Sequence, residues 1–152
     1  MKNRLEAALK GLGQRFGDSR LHVFDLSVSK IEQQTAFLCG RILEQKDLDR
    51  LCEQLAAQFP GLRLDTGNVR VLRRPDNPAL AVGVNLTGVY AEKSFHSEQV
   101  NQAWYGERFE ILEQDDRWVF ARQEDGYLGY TYLPYLTGKV IPPPTHLVTA
   151  PA

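Results

Sequence analysis

The sequence predicts an α+β protein of two domains, a small helix–strand–strand–helix–strand module followed by an all-β barrel. In the first half, apolar residues recur at helical spacing in two segments. In the second half they alternate at strand spacing, and Asp125-Gly126 marks a tight hairpin turn. Between the halves, Arg73-Arg-Pro-Asp-Asn-Pro-Ala79 interrupts all periodicity. We therefore expect domains at 1–73 and 80–141, a linker at 74–79, and a Pro-rich tail or the start of a following domain at 142–152.

The bulk composition narrows the class of protein. Of the 152 residues, 43% are apolar and 24% charged, which is typical of a globular chain. With 18 basic and 19 acidic residues the net charge is −1, which favours neither nucleic acid nor anionic membrane as partner. No apolar run is long enough for a membrane span or a signal-peptide core. This predicts a cytoplasmic chain, or a cell-envelope one if a leader was removed.

The elements of the first half follow from the apolar spacing. A helix is predicted over Leu5–Phe16 and a strand over Leu21–Val28, with a one-residue slip between Val23 and Leu26. The partner strand is Thr35–Leu43. A second helix begins at Gln45 or Asp47 and ends at Pro60-Gly61, and its buried face comprises Leu48, Leu51, Cys52, Leu55 and Phe59. A last strand follows from Leu62 to Val71, with a break at Thr66-Gly67-Asn68.

The second half is read as strands and turns. One strand is predicted from Leu80 to Tyr90 with a kink at Gly88, then a polar loop over Ala91–Asn101. The next three strands include Phe109, Trp118 and Tyr127, and Trp118 is expected in the core. Leu133–Leu136 is expected to form one helical turn before a last short strand.

The first half resembles the BON domain, a small module of bacterial envelope and stress proteins. The resemblance rests on Phe37-Leu-Cys-Gly-Arg-Ile-Leu43 and Phe59-Pro-Gly-Leu-Arg-Leu64, and it covers about residues 4–73. It implies binding of lipid or envelope components. A packing domain that orients its neighbour is an equally good interpretation, since no basic face is evident.

The second half resembles the first bacterial SH3-like domain of NlpC-family cell-wall cysteine peptidases. The residues that carry this are Tyr105-Gly-Glu-Arg-Phe-Glu-Ile-Leu-Glu113, Trp118 and Asp125-Gly-Tyr-Leu-Gly-Tyr130, and Pro142–Ala152 is similar to the joint before a second such domain. These enzymes cut murein stem peptides between γ-D-glutamate and the diamino acid. The resemblance implies that the domain helps to bind the free N-terminal L-alanine of the peptide.

The resemblance also implies which residues bind substrate. An acid in the loop after the first strand and a tyrosine at the Asp-Gly-Tyr turn correspond to Glu92 and Tyr127, with Glu98 as the alternative acid. A solvated glutamate and a tyrosine that plugs the barrel end are the plainer interpretations. Trp104, Tyr105 and Tyr130 are further candidates for an aromatic groove. Trp104 and Tyr105 are expected to be exposed, and could instead face a catalytic domain.

Catalytic residues are not expected in this chain. The family's Asp-Cys-Ser-Gly-like segment is missing, and Cys39 and Cys52 have no histidine partner in any motif. No metal or cofactor site is expected either. The first hypothesis is therefore a non-catalytic recognition segment whose partners are the stem peptide and a peptidase domain, either on the same chain or separate. The alternative is a stand-alone envelope or cell-wall binding protein, with an autonomous enzyme a distant third.

Overall fold

The computed structural model describes residues 1–143, 145 and 146. Its first half has the element order expected from the sequence. Helix α1 (Lys2–Gly13) leads through a 3₁₀ turn (Gln14–Phe16) to strands β1 (Phe24–Glu32) and β2 (Thr35–Ile42), then helix α2 (Gln45–Gln58) and strand β3 (Arg63–Val71). The position of the Pro-rich tail after His146 lies outside the described residues.

A three-stranded sheet supports the first half. β2 is central, antiparallel to β1 and parallel to β3, and the parallel pair is connected through α2. Alternate residues of β2 are buried on one face, where both helices pack. The resulting core includes Leu5, Leu9, Val28, Leu38, Ile42, Leu51 and Leu55.

Two details of the first sheet differ from the expectation or refine it. β1 begins at Phe24, and the register shift lies between Val28 and Lys30 instead of between Val23 and Leu26. Val23 precedes the strand and packs in a separate apolar cluster between the two halves of the chain. The expected break in the last strand is a bulge, since two steps on β2 (Phe37 to Cys39) face three on β3.

The second half is one seven-stranded antiparallel sheet. Its strands are β4 (Ala79–Val82), β5 (Leu86–Tyr90), β6 (Gln99–Trp104), β7 (Arg108–Gln114), β8 (Trp118–Gln123), β9 (Leu128–Tyr132) and β10 (Leu136–Thr137). They are ordered β10-β4-β7-β8-β9-β5-β6. Val82 near one edge and Ala103 at the other share a core with Phe109, Ile111 and Val119. The sheet must therefore curl around that core, as in a small barrel.

The expected single strand over Leu80–Tyr90 is wrong. The chain turns at Gly83–Asn85, where the N–H of Gly83 donates to the carbonyl of Tyr135 and the carbonyl of Asn85 accepts from Tyr105. The alternation of apolar residues continued across a turn, so periodicity alone did not mark it. β6 was likewise expected as loop, because an edge strand with polar residues carries a weak apolar signal.

The two halves are joined by more than the segment between them. Leu43 and Leu72 from the first half form a buried cluster with Leu112 and Leu128 from the second. Arg73, which precedes the expected linker, donates to Glu44 on one side (2.6 Å) and to Glu110 on the other (3.0 Å). Apolar burial and ion pairs thus hold the halves against each other.

Candidate functional site

The predicted site tyrosine lies at the hairpin turn between β8 and β9. Gly126 has φ +96°, and its N–H donates to the carbonyl of Gln123. The carboxylate of Asp125 accepts from the backbone N–H of Tyr127 (3.1 Å), which orients the start of β9. Tyr127 is half-buried. The Asp-Gly signal thus correctly predicted the turn on which this side chain is carried.

A second turn, from the first half of the chain, packs on this hairpin. The carbonyl of Arg20 accepts from the N–H of Leu128 at 2.7 Å. The guanidinium of Arg20 binds the Asp18 carboxylate through Nε and Nη2, both at 3.0 Å. The hydrogen bond with Asp18 chiefly raises the pKa of Arg20, with smaller contributions from Tyr127 and Glu98. Through its bond to Leu128, Arg20 adjoins the turn that carries Tyr127.

The two candidate acids lie on the loop between β5 and β6. The N–H of Ala91 donates to the carbonyl of Glu98 and closes the loop at 2.8 Å. Glu92 is exposed, and its backbone bonds with Ser94 and Ser97. Glu98 is exposed too, and its bonding partner Ala91 lines the same cleft as Arg20.

Tyr130 lines a cleft of about 280 Å³ between the two halves. Its ring packs against Phe120 at 4.9 Å, and the ammonium of Lys93 lies 5.6 Å from its centre. Arg41, from β2, lines the same cleft and donates to Glu113 at 2.7 Å. The pKa of Arg41 is raised, because Glu113 and Tyr130 together outweigh the burial that acts against its charge. Sequence reasoning did not find Arg20 or Arg41, since each lies in the other half of the chain from Tyr127.

Trp104 and Tyr105 are exposed, as expected, with 57% of each residue's surface accessible. They lie apart from Tyr130. Trp104 pairs with Leu86 at one end of β5, whereas Tyr130 pairs with Tyr90 at the other end. Four strand residues span about 13 Å. These two aromatics thus belong to a separate surface.

A separate aromatic cluster lies around Phe95, whose place in it the sequence did not predict. Phe95, from the β5–β6 loop, packs on Trp118 (4.9 Å) and Tyr132 (5.3 Å), and Tyr90 and Tyr135 complete the group. The expectation that Trp118 is core is wrong: it is half-buried beneath Phe95, which is 48% exposed. The sequence predicts that Phe95 belongs to a polar loop. Its single apolar side chain could not reveal that the loop folds back on β8.

An ion pair anchors this loop to the β7–β8 hairpin. Lys93 binds the carboxylate of Asp115, which also accepts the backbone N–H groups of Arg117 and Trp118. These three donors lower the pKa of Asp115 to about 2, and the hydrogen bond from Lys93 is the largest cause of the shift. The Asp115 carboxylate therefore stays charged across the physiological pH range.

Neither cysteine lines the cleft between the two halves. Cys52 packs against the core of the first half, and burial raises the pKa of its thiol, which disfavours the nucleophilic thiolate. Cys39 lies 3.2 Å from the hydroxyl of Ser27. In the part of the chain that the structure describes, no three His, Cys, Asp or Glu side chains converge on a possible metal position. Within those same residues, no helix has the length and apolar character needed to cross a membrane.

Part of this curled sheet, from the end of β5 to β9, is a bacterial SH3-like domain. Residues 89–131 match the family model described as the bacterial dipeptidyl-peptidase Sh3 domain. The matched segment contains Glu92, Glu98, Tyr105, Tyr127 and Tyr130. No curated protein matches the chain.

Proposed function

We propose that this chain is a non-catalytic recognition and positioning segment of a murein stem-peptide endopeptidase of the γ-D-glutamyl-L-diamino-acid type. It would hold the free N-terminal L-alanine of the peptide. The supporting observation is that Arg20 bonds to Leu128, beside Tyr127, and lines one cleft with Ala91, which bonds to Glu98, next to a domain of a kind named for dipeptidyl-peptidases. The BON-like first half would serve chiefly to build and orient this site.

The chemistry follows from the groups present. An ammonium group is selected by a carboxylate together with a hydroxyl acceptor, because each accepts one of its N–H donors. Tyr127 supplies the hydroxyl, and Glu98 or Glu92 supplies the acid. Both acids are exposed, so the pair alone would bind weakly, with a Kd of about 1 mM or higher. A peptidase domain that covers the site would strengthen both contacts by excluding water.

The test compares L-alanyl-γ-D-glutamate with its N-acetylated form, by NMR titration of the 152-residue protein. Acetylation removes the ammonium and leaves the rest of the peptide unchanged. We expect shifts at Tyr127 and Leu128 with the free peptide and none with the acetylated one. Glu98→Gln and Glu92→Gln, measured in parallel, identify which acid binds. Equal binding of the two peptides would refute recognition of a free N-terminus.

The alternative function is a stand-alone envelope or cell-wall binding protein. The cluster around Phe95 and Trp118 supports it, since partly exposed aromatic rings can stack on sugars or apolar groups. It predicts that the 152-residue protein is retained on purified murein, and that Phe95→Ala abolishes the retention. Retention on murein with no response to the free dipeptide would favour this function over the first.

A further inference from the structure

Strand β1 is an open edge of the first sheet. It pairs with β2 on one side, and no strand of the described residues pairs with its other side. It is nine residues long, whereas most strands have about five or six. An open edge presents unpaired N–H and C=O groups that can bind a further strand. β1 therefore offers a long template for strand addition.

A groove of about 480 Å³ lies along this open side. Its lining residues come from α1, the 3₁₀ turn and β1, and none comes from β2, so it lies on the side of β1 away from the sheet. Leu9, Phe24 and Leu26 are its apolar lining residues. A strand added to β1 would therefore find apolar surface for the side chains on its helix-facing side.

The bulge in β1 places two opposite charges on one face of the sheet. Asp25 and Lys30 are five positions apart, which in a regular strand would put them on opposite faces. Asp25 pairs with Arg41 and Lys30 with Phe37, and Ser29 between them is the extra residue. Because Arg41 and Phe37 are four positions apart on β2, they share a face, and so do their partners on β1.

This spacing makes β1 complementary to a second, antiparallel copy of itself. A two-fold axis at Ser27, with Ser29 of each copy left out of the pairing, places Asp25 opposite Lys30 of the second copy. The same symmetry places Lys30 opposite Asp25 of the second copy. Each dimer would therefore contain two identical pairs of an acid facing a base.

The apolar face of the strand matches in the same register. Phe24 would lie opposite Ile31 of the second copy, and both of these side chains pack on the core beneath the helices. A bulge and an edge lysine usually prevent a strand from pairing. A second copy of β1 has the same bulge and the opposite charge at the matching position, so it can pair where other strands are excluded.

Both charged groups are available for such a contact. The Asp25 carboxylate is 77% exposed and 3.9 Å from Arg41 Nη2, too far for a hydrogen bond. The Lys30 ammonium is 55% exposed and donates to Glu32 at 3.0 Å. Because an ammonium has three donors, Lys30 can bind a second carboxylate and keep Glu32.

From these observations we infer that β1 is a homodimer interface, through which two copies of the chain join their three-stranded sheets into one six-stranded sheet. The partner is a second copy of this chain, and the contact is isologous. The inference does not depend on the proposed function, because it concerns the first half alone.

Sedimentation equilibrium of the 152-residue protein, between about 1 and 500 µM, tests the interface. We expect a dimer with a Kd of about 1–100 µM, since the ion pairs are at the surface and each adds little. Asp25→Lys and Lys30→Asp each place like charges opposite one another twice, and should weaken dimerisation at least about tenfold. An equimolar mixture of the two variants should restore the dimer, because each contact then joins an acid to a base.

Asp76→Lys is the control, because it makes the same change of charge at a side chain that is 83% exposed and outside β1. It should dimerise like wild type. A wild-type protein that stays monomeric at about 500 µM would refute the interface, and the bulge and Lys30 would then only protect the edge. A mixture of variants that stays monomeric would refute it too. A dimer that both variants retain and Trp104→Ala abolishes would assign the contact to the exposed aromatic surface instead.

Discussion

The guanidinium of Arg73 binds Glu110 across the boundary between the two halves, with Nε 3.0 Å from Oε2. Arg73 follows β3 directly, and Glu110 lies in the middle of β7. Asn77 and Arg122 also approach Glu110, at 3.3 Å and 4.0 Å. Because Nη1 of Arg73 donates to Glu44 as well, one side chain ties the start of α2 to the barrel.

Replacing Arg73 should therefore destabilise the protein more than replacing its neighbour. Arg73→Ala leaves two partly buried carboxylates without their main partner, and we expect a loss of about 1–3 kcal/mol. Arg74→Ala should change the free energy of unfolding by less than about 0.5 kcal/mol. Arg74 is exposed, and its ion pair with the exposed Asp76 is long, at 3.8 Å. Urea denaturation of both variants measures the difference. Equal stability of the two would show that the Arg73 bridge contributes little.

The buried cluster around Leu72 should make the two halves unfold together. Both α-helices of the described residues lie in the first half, whereas Trp104 and Trp118 lie in the second. Circular dichroism at 222 nm and tryptophan fluorescence therefore report on different halves. We expect the two urea transitions to coincide. Leu72→Ala should lower the free energy of unfolding measured by both signals by about 2–5 kcal/mol, because Leu72 is buried. Separate midpoints would mean that the halves are independent domains.

Replacing Gly40 or Gly11 with alanine should have opposite effects on stability. Gly40 has φ +121°, and a Cβ there would lie 1.9 Å from the carbonyl oxygen of Asp25 on β1. Gly40→Ala must push β1 and β2 apart, so we expect a loss of more than about 2 kcal/mol. Gly11 lies in α1, and a Cβ there meets nothing within 4 Å. Gly11→Ala should stabilise by about 0.5–1 kcal/mol, and thermal unfolding of the pair measures both effects.

The Lys93–Asp115 pair predicts a specific acid response. Asp115 has a pKa of about 2 in the folded protein, against about 3.9 for an unperturbed aspartate. A depressed folded pKa means that the pair's stabilising effect is complete above about pH 4 and is lost as the pH falls toward 2. The carboxyl ¹³C shift of Asp115 should therefore titrate with a midpoint near pH 2. Lys93→Met should raise that midpoint only part of the way, because the N–H groups of Arg117 and Trp118 remain. An unchanged midpoint would show that Lys93 is not the main cause.

The sequence correctly predicted those elements whose start, end and buried face are all marked by residues close together in the chain. α2 was found because its apolar residues share one face between a polar start and Pro60-Gly61. The β8–β9 hairpin was found because Asp125-Gly126 has the chemistry of a tight turn. β6 and the turn at Gly83–Asn85 were missed, because an edge strand and a turn inside an alternating run carry no clear periodicity.

The sequence by itself determined the order of the elements in the first half, the SH3-like character of residues 89–131 and the turn that carries Tyr127. Those features depend on residues close together in the chain. Only the tertiary structure decided that Arg20 bonds to Leu128, that Arg41 and Tyr130 line one cleft, that Phe95 covers Trp118, and that Arg73 joins Glu44 to Glu110. Each of these contacts joins residues more than twenty positions apart, and no local spacing encodes where such partners meet. They arise when the two halves bury Leu43, Leu72, Leu112 and Leu128 between them.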